Sequence, residues 1–461
     1  MKNKIPVLLI ATIASFIVPF TISSVVIAIP TISKEFSMAA SEVGWIPTAY
    51  LLAAAMFLVP FGKIADLYGR KKIFLAGMLV YTVASLLLAF SNSGLMFILA
   101  RALQGVGGSM TAGTSIAMLI SVYEPKERGF VLGITISAVY IGLSLGPVIG
   151  GFLVNAFGWR SIFLVNVPLG LIVILLTLIL LKGQEWAFSD GKKFDIWGSF
   201  IYCLMLPLFI YGFSVITTGK GVFFAAAGFA ALIMFVKWEL RSENPVLDLR
   251  LFKHNLTFRY SSLATLINYS AASATTYLLS LYLQYIKAIG PKEAGLILMS
   301  QPVVQAIFSP MAGKLSDKVE PRIIASIGMG LTCIGLFIFS FISENTALPL
   351  LIANLMLMGF GFALFSSPNT NAVMGSVGKE SYGVASAIVS TLRVTGQMAS
   401  MSVAMLVFSV IIGNMKIIPA AYPALLKSMK ILFMIFSVFS LAGVFASLAR
   451  GKLHKAAPEK S

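Results

Sequence analysis

Charged side chains are scarce in this sequence of 461 residues. Asp, Glu, Lys and Arg together make up 11% of it, whereas hydrophobic residues make up 58%. A soluble globular domain carries roughly twice that share of charged residues. The composition therefore excludes a water-soluble surface and indicates a protein whose solvent is largely lipid.

Residues that commonly carry chemistry are scarce as well. The two histidines, His254 and His454, lie outside the apolar runs, while Cys203 and Cys333 each lie inside one, without the spacing of metal ligands. No G-x-x-x-x-G-K-[ST] string occurs, which argues against ATP-driven work within this chain. An enzyme would need acids, histidines or metal ligands clustered at one depth. The sequence thus predicts no enzyme, no metal site and no cofactor.

The sequence contains instead a series of long apolar runs. A hydrocarbon layer of about 30 Å is crossed by about 20 helical residues, and these runs lack the alternating pattern of a barrel strand. They predict an all-α integral membrane protein with fourteen transmembrane helices. The predicted spans are residues 6–30, 43–62, 73–91, 95–120, 129–154, 161–181, 196–217, 221–238, 259–285, 292–312, 323–342, 347–374, 383–412 and 428–449.

The positive charges are distributed unevenly between the two sides of such a bundle. The net charge is +17, and with a cytoplasmic N-terminus 24 Lys and Arg residues fall in inside loops and tails against 8 outside. Cytoplasmic loops of membrane proteins carry this excess. The charge therefore fixes topology rather than indicating nucleic-acid binding, and we expect a multi-pass protein of the plasma membrane with both termini cytoplasmic.

An internal repeat divides the chain into two halves. "GKIADLYGRKK" follows the second span and "GKLSDKVEPR" follows the tenth, 251 residues later. Paired repeats with a substrate site between them are typical of secondary transporters. We predict a six-helix bundle at 1–181, an inserted helix pair with a cytoplasmic loop at 182–257, and a second six-helix bundle with a tail at 258–461.

Three short sequence motifs contain residues whose structural roles can be inferred from physical chemistry. In the first repeat Gly62 and Gly69 permit close helix approach and a tight turn, and Asp66 can pair with Arg70. Span four places Arg101 inside an apolar helix, where a guanidinium needs a partner or a water-filled cavity unless it snorkels to the interface. Span five contains a proline that kinks it and small residues that form a smooth face, namely Gly142, Gly146, Pro147, Gly150 and Gly151.

These strings, with "WRSIFLVNVPLG" after span five, resemble the major facilitator superfamily, and the fourteen spans resemble its drug:proton antiporter branch. The resemblance covers essentially the whole chain and implies a monomer that exports drugs or similar amphiphiles by alternating access, driven by protons. It implies that Arg101 assists proton transfer. It also implies that the glycine string of span five is the family's antiporter motif, which is associated with exporters rather than importers. It also implies a conformational latch made of Gly62, Asp66, Gly69, Arg70 and Lys71, with Asp317 and Arg322 in the second copy, where Glu320 stands near the position of the expected glycine.

One feature of that branch is absent. Its first helix usually carries an acid before an asparagine, and alignment on Ala28 to Pro30 puts Thr21 and Val26 at those positions. All 17 carboxylates lie in loops, tails or span ends. Because an intramembrane carboxylate is the usual proton carrier and cation partner, proton coupling is in question. Glu42, Asp195 and Asp66 remain as proton sites, unless they are ordinary caps and solvated charges.

The predicted interior is cationic and neutral. The proposed cavity and proton-relay residues are Arg101, Gln104, Glu42, Arg393 and Gln397, and the proposed substrate-lining residues are Thr21, Asn268, Tyr269, Tyr277, Gln301, Gln305, Asn354 and Asn369. Such a cavity favours anionic or neutral substrates over cations, unless these groups only join helices to one another. The main hypothesis is a proton-driven multidrug or amphiphile exporter. The alternative is an organic-anion or neutral-metabolite transporter with weak proton coupling.

Overall fold

A computed structural model describes residues 4–186, 194–215, 219–243, 245–247, 249, 252, 255–316, 318–377, 382–413 and 415–451. Within them fourteen helices follow one another. They are α1 Lys4–Glu35, α2 Trp45–Tyr68, α3 Arg70–Ala89, α4 Gly94–Val122, α5 Pro125–Phe157, α6 Arg160–Leu180, α7 Ile196–Ser214, α8 Gly219–Arg241, α9 in two segments Leu256–Ala272 and Ala274–Leu281, α10 in two segments Pro291–Leu298 and Ser300–Ser316, α11 Pro321–Phe339, α12 Leu348–Gly375, α13 Tyr382–Ile411 and α14 Tyr422–Leu448.

The all-α prediction is confirmed. In the described residues thirteen helices are long and apolar enough to cross a membrane, counting the turn Ala40–Val43 with α2 and both segments of α10. Polar side chains cap several helix ends: Ser93 Oγ accepts a hydrogen bond from Met96 N before α4, and Asn255 Oδ1 accepts one from Phe258 N before α9. Such caps satisfy backbone groups that the helix itself leaves free.

The remaining span, α9, differs from the uninterrupted helix predicted at 259–285. It is interrupted at Ser273, where the Ala274 N–H donates to Ser400 Oγ on α13 at 3.0 Å. After Leu281 a π-helical turn, Tyr282–Ile286, ends the element. Hydropathy does not reveal such an interruption, since the hydroxyl that Ala274 N–H contacts belongs to a distant helix.

The two predicted halves meet mainly at one end of the bundle, which we call the sealed end. Here α1 and α5 end and α10 begins. Ser280 Oγ donates to Val26 O at 2.7 Å, and Gln284 Nε2 donates to Ile27 O at 3.0 Å. The opposite end, which carries the turn at Gly69, is called the loop end.

The inserted pair α7 and α8 packs beside both halves. Tyr202 Oη donates to Ala55 O on α2 at 3.1 Å, and Met398 of α13 belongs to the same apolar cluster as α7. Helix α7 therefore contacts α2 and α13, whereas α8 mainly contacts α7. The boundaries at residues 181 and 257, and the cytoplasmic placement of the termini, stay predictions.

Candidate functional site

The predicted latch forms a compact cluster at the loop end. Arg70 Nε donates to Asp66 Oδ1 at 2.8 Å, and Arg70 Nη1 donates to Ala117 O and to Ser121 Oγ on α4. Gly69 has φ +121°, a conformation that only glycine adopts without strain. The pairing of Asp66 with Arg70 and the tight turn at Gly69 thus occur as predicted. A Cβ at Gly62 would meet no described atom within 4 Å, so the close approach predicted there is not seen.

Sequence reasoning missed a further part of this cluster, the segment that follows α6. Glu185 Oε1 accepts a hydrogen bond from Lys71 N at 2.9 Å, and Trp186 O accepts one from Arg70 N. Lys71 Nζ donates to Leu181 O at 2.7 Å. A carboxylate at the first turn of α3 satisfies free N–H groups and complements the helix dipole. This segment therefore joins the first turn of α3 to the chain that follows α6, the last helix of the first half.

Glu185→Ala is expected to destabilise the protein by about 1 kcal/mol, the usual cost of losing a charged helix cap. The measurement is the thermal unfolding midpoint of the purified protein. Lys182→Ala is the matched control, because Lys182 is an exposed residue of the same segment with no such role. Equal midpoints for the two variants would contradict the capping role.

Arg101 is buried in the first half with an exposed fraction of 1%. Its Nη1 donates to Gln104 Oε1, its Nε donates to Ile46 O at 3.2 Å, and its guanidinium lies 4.7 Å from the Tyr50 ring centroid. Gln104 Nε2 in turn donates to Ser85 Oγ at 2.8 Å. The structure therefore joins Arg101 to Gln104, three residues further along the same helix. Arg101 does not lie at the bundle surface, where a snorkelling residue would be found.

The glycine face of α5 packs against α1. Ser24 Oγ donates to Gly146 O at 2.9 Å, and Cβ atoms at Gly142 and Gly150 would lie 2.7 Å from Phe16 O and 2.8 Å from Ser24 Cα. Side chains larger than hydrogen would force the two helices apart. The smooth face predicted from the spacing of the glycines is therefore used for close packing.

Another face of α5 contacts the second half. A Cβ at Gly151 would lie 2.5 Å from Pro291 O, and a Cβ at Gly295 would overlap Pro147 O. Helix α5 thus contacts α1 through Gly142, Gly146 and Gly150, and α10 through Pro147 and Gly151. Its proline carbonyl forms part of the contact between the halves.

A half-buried cation, Arg393, lies between the halves on α13. The Arg393 guanidinium is 5.2 Å from the Tyr269 ring centroid, and Tyr140 of α5 lies close enough to act on it electrostatically. Tyr140 Oη is 3.5 Å from Ser366 Oγ on α12. No described acidic side chain forms an ion pair with Arg393. The arrangement is a positive charge beside the Tyr269 ring, with no described carboxylate partner and with Tyr140 of the other half nearby, and it can attract an anionic or polar aromatic ligand.

Tyr140 and Ser366 were missed by sequence reasoning. Tyr140 lies two residues before Gly142, so the glycine string was the available signal. A single sequence does not tell which neighbour of a packing motif faces the other half.

The other predicted substrate-lining residues fall into distinct groups. Asn354 Nδ2 donates to Gly335 O and Asn369 Nδ2 donates to Thr265 Oγ1, so both amides join helices of the second half. Thr21 is fully buried and donates to Ile17 O of its own helix. Asn268 and Tyr277 are buried with polar atoms that have no partner among the described residues. Gln301, Gln305 and Gln397 are partly exposed.

The predicted acidic sites are mostly caps. Glu42 is exposed and its Oε2 accepts a hydrogen bond from Ala39 N at 2.8 Å, and Asp195 caps α7. Asp317 lies outside the described residues, and Arg322 is partly exposed at the start of α11. Glu239, which sequence reasoning placed at a span end, is buried with an exposed fraction of 1%.

Comparison with known proteins decides the family. The sequence profile of the Major Facilitator Superfamily matches residues 11–241 and 261–461. The chain belongs to this superfamily. It is 32% identical over 396 residues to the riboflavin transporter RibZ of Clostridioides difficile, covering 85% of this chain and 86% of RibZ. It is 31% identical over 380 residues to the multidrug resistance protein Stp of Mycobacterium tuberculosis, covering 80% and 69%.

Solved structures agree on the superfamily fold. A bacterial homologue of the human lysosomal transporter Spinster, in an inward-facing and unoccupied conformation, matches with a TM-score of 0.68 at 18% identity, over 97% of this chain and 96% of the homologue. Membership of the superfamily makes the protein a multi-pass membrane transporter of small molecules, not an enzyme.

Proposed function

We propose that the protein is a secondary active exporter that moves small amphiphilic molecules out of the cytoplasm by alternating access, driven by the proton gradient. The observation that supports this most is the seal between the halves, where Pro147 and Gly151 of α5, the helix with the exporter-like glycine string, meet Gly295 and Pro291 of α10. With the loop end cytoplasmic, as the charge distribution favours, this conformation faces inward. A multidrug resistance protein among the relatives supports the same function.

A proteoliposome assay tests this proposal. Transport of a cationic dye such as ethidium, an uncharged planar molecule such as riboflavin and an anionic dye such as fluorescein is compared with and without an imposed pH gradient. A pH difference of one unit can drive an accumulation of the transported molecule of about tenfold across the membrane for each proton exchanged. Accumulation that follows the gradient supports proton drive. Equilibration without accumulation would contradict it.

The cluster around Arg393 favours a second candidate, an exporter of anionic or neutral aromatic metabolites. The guanidinium lies beside Tyr269, and the riboflavin transporter among the relatives is named for an uncharged planar aromatic molecule. An uncompensated cation in a poorly screened space repels cationic substrates. Strong transport of ethidium with none of riboflavin or fluorescein would exclude this candidate.

Arg393→Met is expected to lower fluorescein transport by about tenfold, because it removes the positive charge while keeping a side chain of similar length. Arg393→Lys keeps the charge and is expected to retain part of the transport. The measurement is the initial rate of fluorescein uptake into proteoliposomes. Equal rates in the Met and Lys variants would show that the charge plays no part.

A further inference from the structure

A buried proline, Pro30, lies near the end of α1 at the sealed end of the bundle. A regular α-helix pairs each carbonyl with the N–H four residues later, and proline has no N–H to donate. Val26 O therefore lacks the donor that position 30 would otherwise supply. A carbonyl without a donor is costly where water is excluded. Pro30 thus leaves Val26 O available for a donor from another helix.

That donor comes from the second half. Ser280, in the second segment of α9, is fully buried, and its Oγ donates to Val26 O at 2.7 Å. Ser280 Oγ also accepts a hydrogen bond from Gln284 Nε2 at 3.0 Å, and the same amide nitrogen donates to Ile27 O at 3.0 Å. One hydroxyl hydrogen and two amide hydrogens thus meet three acceptors. Every donor of this network is paired, and the network joins one half to the other.

The irregular end of α9 contributes most of these donors. Gln284 belongs to the π-helical turn Tyr282–Ile286, and the next residue of that turn, Tyr285, donates from its Oη to Pro30 O at 3.3 Å. Turns of this kind often occur at functional positions within helices. The last turns of α1 therefore receive three side-chain donors from the end of α9, namely Ser280, Gln284 and Tyr285.

We propose that Pro30 and Ser280 form a gate between the halves, in which Pro30 makes the sealed conformation depend on the hydroxyl of Ser280. When the halves separate at this end, water replaces Ser280 as the donor to Val26 O. Without the hydroxyl, the sealed conformation leaves this carbonyl unpaired, whereas the open one does not. The proposal rests on the alternating movement of the proposed function, but it requires neither proton drive nor a particular substrate.

A double-mutant cycle at positions 30 and 280 tests the proposal. Ser280→Ala is expected to shift the ratio of sealed to open protein about fivefold or more toward the open conformation, because it leaves Val26 O unpaired in the sealed conformation alone. In Pro30→Ala, the restored N–H at position 30 donates to Val26 O in both conformations. In that background Ser280→Ala is expected to shift the ratio by about twofold or less.

Distances between two spin labels measure this ratio without any substrate. The labels are placed at Phe157→Cys and Phe341→Cys, exposed sealed-end positions in opposite halves, after both native cysteines have been replaced by serine. Short distances report the sealed conformation and long distances the open one. Ser428→Ala is the matched control, because Ser428 is as buried as Ser280 but donates to Ala424 O of its own helix. It should leave the ratio unchanged in both backgrounds.

Gln284→Leu provides a second test if Ser280→Ala does not fold. It removes the amide that donates to Ser280 Oγ and Ile27 O, and it is expected to open the sealed end as well, with a smaller effect in the Pro30→Ala background. Equal shifts with and without Pro30, or one sealed distance in every variant, would overturn the proposal. The expected distance shifts together with a failed gradient-driven transport assay would contradict the proposed function alone.

Discussion

Gly295→Ala is expected to shift the protein out of the sealed conformation and to reduce transport by about tenfold or more. A methyl group at this position would overlap Pro147 O, a backbone atom that cannot rotate away. Overpacking of this kind usually costs about 1–3 kcal/mol, and because the cost falls on one conformation alone it changes the ratio of the two conformations about 5- to 150-fold. The sealed end should therefore open.

Spin labels at Phe157→Cys and Phe341→Cys, exposed sealed-end positions in opposite halves, would measure the opening. Gly330→Ala is the control, because a Cβ there meets nothing within 4 Å and alanine favours the helix. A sealed-end distance that Gly295→Ala leaves unchanged would show that the contact with Pro147 is not part of the seal.

Arg101→Ala is expected to abolish transport and to lower the unfolding midpoint. The change leaves Gln104 Oε1 without its donor, removes the additional hydrogen bond to Ile46 O and removes the cation beside the Tyr50 ring. Hydrogen bonds to a charged group contribute about 1.5–3 kcal/mol each, and the emptied volume adds a cavity. Arg101→Lys should not restore function, because an ammonium cannot donate in the same fork.

Transport of riboflavin and fluorescein in proteoliposomes, together with the thermal unfolding midpoint, would test this expectation. Arg259→Ala is the matched control, since Arg259 is an exposed arginine at the start of α9. A folded Arg101→Ala protein with wild-type transport would assign Arg101 a dispensable role. Full activity of Arg101→Lys would show that charge alone is sufficient.

Much of the architecture follows from local chemistry. Apolar runs long enough to cross hydrocarbon must form helices, because their backbone groups have no other partners there. The turn at Gly69 follows from its place between two spans, and the packing face of α5 follows from glycines four residues apart. These features depend on spacing along one segment, which a sequence displays directly.

The contacts made by the polar residues inside the apolar runs were less predictable. Asn354 and Asn369 join helices, whereas Asn268 lies buried with neither amide atom paired to a described residue. All three are asparagines inside apolar runs. They differ in which face of a neighbouring helix lies opposite the amide. A single sequence carries no information about how one helix is rotated against another.

Sequence by itself therefore determined the helical class, the number of helices, the repeat and the family. Tertiary structure alone decided which groups meet: Ser400 with the interruption in α9, and Tyr140 with the cluster around Arg393. The physical reason is the range of the interactions involved. Hydropathy and glycine spacing act within one helix, but a contact between side chains on different helices depends on how the whole bundle packs.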